Sequence, residues 1–304
     1  MKNAIIALSL IVILGLAGYI YTSRATDTAP APQATQEDRQ PPAPTDTQAT
    51  TTAEVEDKTR TVLGQSVGGR DVIAYHFGEG DKEALFIGGI HGGYEWNTAL
   101  LGYELVEYLQ MQPSAIPAGV KVTVIPVMNP DGLVKVVGTT SPFAAADVPA
   151  AQDVQIAGRV NGNGVDLNRN FDCDWKASGT WRNTKVSGGT SAFSEPESAA
   201  VKAYIEEHSP EAVVVWFSAA DGVYSSSCDG TVAPATAALN KAYATASGYA
   251  SHPKFDAYAV SGDITNWLAN NDIPAVSVLL TTHDDIEWIK NQKGIKAVLE
   301  HVAK

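Results

Sequence analysis

The chain has few basic residues for its length. Its 304 residues include 21 Lys and Arg against 34 Asp and Glu, which gives a formal net charge of −13. Nucleic acids demand a basic protein surface, so this balance argues against nucleic acid as a partner. We interpret the acidity as a solvated, soluble surface. Hydrophobic residues make up 44% of the chain, which is enough for one sizeable globular domain.

Large hydrophobic residues are missing from one long segment near the N-terminus. From Ser23 to Ala53 there is no Leu, Ile, Val, Phe, Tyr or Trp, and Thr, Ala, Pro and Gln dominate. Such a segment cannot bury apolar area, which excludes a packed core there. The composition predicts a disordered, partly extended linker over residues 23–53.

The segment before this linker is apolar. Met1-Lys2-Asn3 precede an apolar run from Ala4 to Tyr21, which is the pattern of an export signal. The run is long for a cleaved signal and slightly short of the ~20 residues that span a bilayer comfortably. A signal peptide and an N-terminal membrane anchor both stay open for residues 1–22, with the anchor favoured. Either interpretation predicts an exported domain, secreted or held at the cell surface through its N-terminal segment.

Cysteine is scarce, with only Cys173 and Cys228 in the whole chain. Both lie in the part predicted to be exported, and an even pair in an oxidising compartment suggests one disulfide. Two unpaired buried thiols are the alternative, because sequence alone does not show how close the two Cα atoms lie.

From about residue 54, apolar runs alternate with longer helical patterns. Together they predict an α/β fold: a single domain over residues 54–304 with a mostly parallel twisted sheet and helices on both faces. Asn129-Pro130-Asp131-Gly132 predicts a turn. The predicted strands are Ala84–Ile87, Val120–Val127, Ala212–Phe217 and Ala275–Leu280, and the predicted helices are Thr98–Gln110, Glu195–His208, Ala233–Ala246 and Ile286–Val302.

The loop after the first predicted strand contains a candidate metal-binding pair. His91 and Glu95 offer nitrogen and oxygen ligands, which suit zinc, and a catalytic zinc takes three protein ligands and a water. Such a pair is a weak signal alone, because His and Glu four residues apart are frequent on helix faces. Gly88-Gly89 and Gly92-Gly93 around it indicate a tight loop with close backbone approach.

A longer motif follows at Gly164-Val165-Asp166-Leu167-Asn168-Arg169-Asn170-Phe171. With this motif and the His91–Glu95 pair, the region from about Val62 to Lys304 resembles the zinc carboxypeptidases of the carboxypeptidase A type. The resemblance implies a carboxypeptidase A-like fold of the phosphorylase/hydrolase type, one zinc ion, and hydrolysis of C-terminal peptide bonds. In that family the two zinc ligands form an H-x-x-E motif, and this chain has one extra residue between them.

The resemblance also implies roles for individual side chains. Asn168 and Arg169 are similar to the pair that binds the substrate's terminal carboxylate, which a guanidinium fork and an amide suit chemically. Arg159 resembles the catalytic arginine that polarises the scissile carbonyl, and Tyr258 the tyrosine that closes over bound peptide. The alternatives are a structural ion pair for Arg169, a surface position for Arg159 and an exposed loop aromatic for Tyr258. Thr265 resembles a residue of the specificity pocket, where a small polar group favours neither large aromatic nor strongly charged side chains.

Two positions of the family pattern hold hydrocarbon side chains in this chain. Phe217 stands where the family has its third zinc ligand, a histidine, and Leu279 stands where it has the glutamate that acts as general base. A phenyl ring cannot bind zinc, and a leucine cannot activate water. His283 is the first candidate substitute. Other nearby candidates are Asp221, Asp284, Asp285 and Glu287.

Three functional hypotheses follow from the resemblance and its departures. The first is an exported metallocarboxypeptidase-family protein whose zinc-dependent hydrolysis is impaired. The second is an inactive relative that binds the C-terminus of peptides or cell-wall peptides through Asn168 and Arg169. The third is a surface scaffold. The missing zinc ligand and the missing general base affect independent parts of the mechanism. Their combined loss argues against peptide hydrolysis at an ordinary rate.

Overall fold

The computed structural model describes residues 59–304, so the export segment predicted at residues 1–22 and the linker predicted at residues 23–53 lie outside it. Within residues 59–304, none of the helices combines the length and hydrophobicity that a bilayer span needs. This part of the chain forms an α/β domain with a mostly parallel mixed sheet, as the alternation of apolar and helical patterns predicts.

Residues 59–304 contain an eight-stranded main sheet and a separate two-stranded hairpin. The strands are β1 (Arg60–Gln65), β2 (Asp71–Phe77), β3 (Lys82–Ile87), β4 (Val120–Ile125), β5 (Ser178–Trp181), β6 (Thr184–Ser187), β7 (Ala212–Ser218), β8 (Gly222–Ser225), β9 (Ser251–His252) and β10 (Ala275–Leu280). The spatial order in the main sheet is β1-β2-β4-β3-β7-β10-β8-β9. Its centre is parallel, because β3 pairs in parallel with β4 and β7, and β7 with β10. β2 joins β4 and β8 joins β10 in antiparallel fashion, and β5 and β6 form the hairpin.

Helices cover both faces of this sheet. They are α1 (Trp96–Met111), α2 (Pro130–Val137), α3 (Gln152–Ala157), α4 (Pro196–His208), α5 (Pro234–Ser247), α6 (Ile264–Asn270) and α7 (Trp288–Val302). The central strands β7 and β10 are buried on both sides, so successive residues enter different cores. Val214, Trp216 and Val278 pack with residues of α1, α5 and α7, whereas Val215 and Phe217 pack with residues of α4 and α6.

The turn predicted at Asn129-Pro130-Asp131-Gly132 is wrong. These residues begin helix α2, with Pro130 in its first turn and Asn129 as its N-cap. The Asn129 side-chain oxygen accepts a 2.8 Å hydrogen bond from the backbone N–H of Gly132. The same residue types satisfy free backbone donors at turns and at helix starts, so local composition did not separate the two structures.

The disulfide between Cys173 and Cys228 is confirmed, with the two Cα atoms 5.7 Å apart. It joins the segment that follows the Asn168–Arg169 motif to the loop after β8. The alternative of two unpaired thiols is therefore excluded.

Candidate active site

The carboxyl ends of the central parallel strands meet at one edge of the sheet. His91 lies just beyond β3, Phe217 lies near the end of β7, and Leu279 lies near the end of β10. The loop that carries His91 turns tightly at Gly92, which has φ +47°. A Cβ atom on Gly92 would lie 2.6 Å from the carbonyl oxygen of Gly158, so only glycine allows this close approach.

Four charged side chains form a buried network in this loop region. His91 Nδ1 lies 3.0 Å from Glu95 Oε2, and His91 Nε2 lies 3.4 Å from Asp166 Oδ1. Arg159 donates from Nε and Nη2 to Asp166 Oδ2, both at 3.0 Å, and its Nη1 lies 4.0 Å from Glu95 Oε1. All four residues are buried, so Arg159 is not a surface arginine.

The network shifts the pKa of two of its members. Burial raises the pKa of the Asp166 carboxyl, but Arg159 and His91 outweigh burial and hold that pKa well below its usual range. Burial and Arg159 lower the pKa of His91, yet the carboxylates of Glu95 and Asp166 outweigh both, so its pKa is raised. The opposite charges within the network therefore outweigh burial in setting the direction of both pKa shifts.

His91 and Glu95 fit two positions of a zinc site but do not complete one. Their facing atoms, His91 Nδ1 and Glu95 Oε2, are buried and have no hydrogen-bond partner among the described residues, despite their 3.0 Å separation. Tetrahedral zinc with bonds of about 2.0–2.1 Å would hold two ligand atoms at a similar spacing. No group of three or more His, Cys, Asp or Glu side chains within residues 59–304 is arranged to hold a metal ion. The donor set therefore does not fit a catalytic zinc.

The apolar side chains at the two expected functional positions lie next to each other. Phe217 and Leu279 are directly paired across the parallel β7–β10 ladder. The Phe217 ring lies 5.6 Å from the His91 ring, measured between centroids. Phe217 is 6% exposed and Leu279 is 7% exposed, and both line the same cavity as His91 and Glu95. Apolar side chains therefore occupy the two positions where the family pattern has its third zinc ligand and its general base.

Three of the candidate substitutes, His283, Asp221 and Glu287, have contacts outside the His91–Glu95 pair. His283 Nε2 lies 3.0 Å from the Tyr94 hydroxyl, and burial lowers the pKa of this histidine. It does not join His91 and Glu95 in a group of three ligands. Asp221 Oδ1 lies 3.1 Å from the hydroxyl oxygen of Thr281.

Glu287 is held in a structural network at the start of α7. Its carboxylate accepts hydrogen bonds of 2.7 to 2.8 Å from the backbone and hydroxyl of Thr281, the hydroxyl of Tyr249 and the Lys290 ammonium. Burial raises the pKa of Glu287, but Lys290 and the other donors outweigh it, so the pKa lies below 4.5. A carboxylate with every oxygen occupied in this way is not free to act as a base.

We expect Glu287→Gln to destabilise the domain in a pH-dependent way. Because the folded pKa of Glu287 is depressed, its contribution is complete above the ordinary value of 4.5 and is lost as the pH falls through the depressed pKa. Above pH about 5 the variant should lose about 2 kcal/mol of unfolding free energy. Denaturant titrations of both proteins at several pH values measure this difference. A difference that grows as the pH falls below about 4 would contradict the expectation.

The predicted carboxylate-binding pair lies beside the network. The Asn168 amide donates to Asp263 Oδ2 at 2.8 Å and accepts from the backbone N–H of Ile264 at 3.1 Å. Arg169 is 3% exposed, and its guanidinium carbon lies 5.8 Å from the centre of the Tyr258 ring. Its Nε and Nη1 groups have no hydrogen-bond partner within residues 59–304. The predicted substrate-binding residues Asn168, Arg169 and Tyr258 are therefore brought together.

A cavity of about 420 Å³ opens next to these residues. Asn168 and Tyr258 line it together with His91 and Glu95, and the Cys173–Cys228 disulfide forms part of its wall. Thr265 also lines the cavity. Arg169 is not part of the lining.

Sequence reasoning missed several residues of this site. Asp166 stands inside the recognised motif, but its contact with His91 joins segments that are distant in sequence. Trp181 in the β5–β6 hairpin packs under Arg159, with the guanidinium carbon 4.3 Å from its ring centre. Asp263 carried no sequence signal, because its partners come from distant segments. Glu195, which precedes α4, accepts hydrogen bonds from Asn161 and Asn163.

The fold has solved relatives of low sequence identity. One is carboxypeptidase A from Helicoverpa armigera, 20% identical, with a TM-score of 0.65 over 81% of this chain and 68% of that one. Another is the murein-tripeptide amidase MpaA from Escherichia coli O157, 18% identical, with a TM-score of 0.56 over 81% of this chain and 92% of that one. A third is bovine thrombin-activatable fibrinolysis inhibitor in complex with tick carboxypeptidase inhibitor. It is 15% identical, with a TM-score of 0.62 over 80% of this chain and 89% of that one.

Sequence comparison agrees with this fold. No curated protein sequence matches the chain. A family model described as zinc carboxypeptidase matches residues 47–300, which is most of the sequence. The match includes the His91–Glu95 pair, the Asn168–Arg169 pair and both apolar replacements. The chain therefore belongs to the zinc carboxypeptidase family.

Proposed function

We propose that this protein binds the C-terminus of peptides and does not hydrolyse them at the rate of a complete zinc carboxypeptidase. Peptide binding rests on Asn168, Arg169 and Tyr258, and the loss of hydrolysis rests on Phe217 and Leu279. Peptides of the cell wall are candidate ligands, because residues 1–22 have the pattern of an export signal or membrane anchor.

One observation carries the binding half of the proposal. The Arg169 guanidinium is buried, yet two of its N–H-bearing nitrogens have no partner in the described part of the chain. A buried charged donor without an acceptor is costly. A peptide carboxylate would reduce this cost, because it accepts charge-assisted hydrogen bonds from a guanidinium. Tyr258, 42% exposed, lies next to the guanidinium and is placed to cover such a ligand.

The loss of hydrolysis is supported by the chemistry of two side chains. Phe217 offers no lone pair to a metal, so His91 and Glu95 remain an incomplete pair. Leu279 offers no group to accept a proton from water, and general base catalysis contributes about 10²–10⁴ in rate. Arg159, which family resemblance makes the candidate for polarising a scissile carbonyl, is held by Asp166 and Trp181. In this proposal the protein retains the side chains that bind a peptide C-terminus and lacks side chains that hydrolysis of the peptide bond requires.

Paired peptides test this proposal. A fluorescent tetrapeptide with a free C-terminal carboxylate should bind at least about 30-fold more tightly than the same peptide with a C-terminal carboxamide, the effect of removing one partner of a buried charge pair. Fluorescence anisotropy measures both affinities, and mass spectrometry of the same samples detects any released C-terminal residue. Equal affinities, or release at the rate of an active zinc carboxypeptidase, would overturn the proposal.

A further inference from the structure

The outer side of helix α1 forms one wall of a groove, which we call the α1 groove, with a volume of about 710 Å³. Residues 142–145 and Ile286 complete its walls. The groove shares no lining residue with the cavity beside His91 and Glu95. Residues three or four positions apart lie on one face of a helix, so the lining residues of α1 form a continuous stripe along it. The stripe consists of Leu100, Tyr103, Glu104, Glu107 and Met111.

The stripe is more apolar than a solvent-facing helix surface needs to be. Leu101, Leu105 and Leu109 face the core of the domain, so the apolar residues of the stripe belong to a second face. Met111 is 62% exposed, and Leu100 is only partly covered by the cluster against which it packs. Contiguous apolar surface rimmed by polar groups is typical of an interaction site.

Hydrogen bonds hold the segments on both sides of the groove against α1. The Tyr103 hydroxyl donates to the carbonyl oxygen of Thr140, which fixes the segment that leads into the first wall. The Asn97 amide donates to the carbonyl oxygen of Asp285 at 2.9 Å, which fixes the loop that carries Ile286. The groove is therefore formed before a ligand binds, and binding requires little ordering of the protein.

The charges of the groove are all negative. Among the described residues that line it, Glu104 and Glu107 alone carry a charge. Neither forms an ion pair with a Lys, Arg or His of residues 59–304. Like charges on one face of a helix repel each other, so the two carboxylates do not stabilise α1. Beside an apolar surface they favour a cationic partner.

Two other occupants match this surface poorly. A second copy of the chain that met the groove with its own groove would bring the carboxylates of both copies together, and each copy has a net charge of −13. A neutral apolar partner would remove water from Glu104 and Glu107 without replacing its hydrogen bonds. A partner with apolar side chains next to Lys or Arg satisfies both parts of the groove.

We propose that the α1 groove binds a basic amphipathic helix of another protein. The stripe from Leu100 to Met111 is about 16 Å long, because a helix rises ~1.5 Å per residue, and about three turns of a partner helix match this length. Such a helix would place apolar residues at i, i+3, i+4 and i+7 in the groove and Lys or Arg beside the two glutamates. This site goes beyond the proposed function, since it uses neither Arg169 nor the cavity.

A peptide of leucine and lysine, about three turns long, tests the inference with the complete chain. Its leucines are spaced to form one face of a helix, and its C-terminus is amidated so that it offers no carboxylate to Arg169. Fluorescence anisotropy should show binding at least about tenfold tighter than that of the same peptide with glutamate in place of lysine. A higher salt concentration should weaken the binding of the lysine peptide.

Variants of the groove locate the binding site. Glu104→Gln with Glu107→Gln should weaken the binding of the lysine peptide by about threefold to tenfold. Met111→Ser should weaken it by at least about threefold, because an exposed apolar side chain is no longer buried by the peptide. Glu207→Gln with Glu211→Gln removes two exposed carboxylates outside the groove and is the matched control for net charge, with unchanged affinity expected.

Three results would overturn the inference. The first is equal affinity for the lysine and glutamate peptides, or equal weakening by the groove variants and their control. The second is displacement of the lysine peptide by a tetrapeptide with a free C-terminus, which would place it in the cavity. The third is a dimer of the chain in sedimentation that Met111→Ser disperses, which would show that a second copy occupies the groove. If the double glutamine variant does not fold, as circular dichroism would show, Met111→Ser still decides.

Discussion

Phe217→His together with Leu279→Glu is expected to create a zinc site with peptidase activity. Phe217 and Leu279 are paired across β7 and β10, and the Phe217 ring lies 5.6 Å from the His91 ring. A histidine at position 217 would join His91 and Glu95, which already present two unpartnered atoms to each other. We expect zinc affinity to rise by about a thousandfold or more, since each added ligand contributes several kcal/mol.

Single variants separate the contributions of the two positions. Phe217→His alone should raise zinc affinity, with little release of a C-terminal residue from a peptide. Adding Leu279→Glu should then raise the rate by about 10²–10⁴, the usual contribution of a general base. Phe217→His with Leu279→Gln is the matched control, because glutamine has the shape of glutamate without its basicity. No gain in zinc affinity in any variant with His at position 217 would mean that the remaining donors are misplaced.

Arg169→Ala is expected to remove most of the affinity for a peptide with a free C-terminus. The buried guanidinium has two unpartnered nitrogens, so a ligand carboxylate is its missing acceptor. Truncating one side of such a buried pair costs about 2–5 kcal/mol, which corresponds to a loss of about 30-fold or more. The same substitution should hardly change the affinity for the carboxamide peptide, which has no carboxylate to lose.

Two further variants test whether the effect belongs to the guanidinium fork. Arg169→Lys keeps the charge but loses the bidentate geometry. Its affinity for the peptide with a free C-terminus should therefore lie between those of the unaltered protein and of Arg169→Ala. Arg60→Ala removes an arginine from the exposed start of β1 and controls for net charge. Anisotropy titrations compare all four proteins, after circular dichroism has shown that each is folded. Unchanged binding in Arg169→Ala would contradict the assignment of this residue.

The central strands were predictable because burial on both faces leaves a continuous apolar run. Ala275–Leu280 was predicted with its observed bounds, and Ala212–Phe217 with one residue too few. The edge strands β1 and β9 were not predicted. β1 is largely exposed, and β9 has only two residues, so neither shows a sustained apolar pattern.

The site was predictable where a local motif carries its chemistry. His91 with Glu95 and Asn168 with Arg169 were both found from short stretches of sequence, and the fold places them at one edge of the sheet. The contacts of Asp166 with His91 and of Asp263 with Asn168 depend on segments that are distant in sequence. Sequence patterns do not encode such distances, which arise only when the sheet brings the loops together.

The zinc affinity of the purified chain tests the central claim most directly. Competition with a chelator of known strength measures it, with Phe217→His as the positive control. Because only His91 and Glu95 converge, we expect the dissociation constant to be micromolar or weaker. A nanomolar or tighter constant would contradict this expectation. It would show that another side chain completes the site, and His283 would be the first residue to replace.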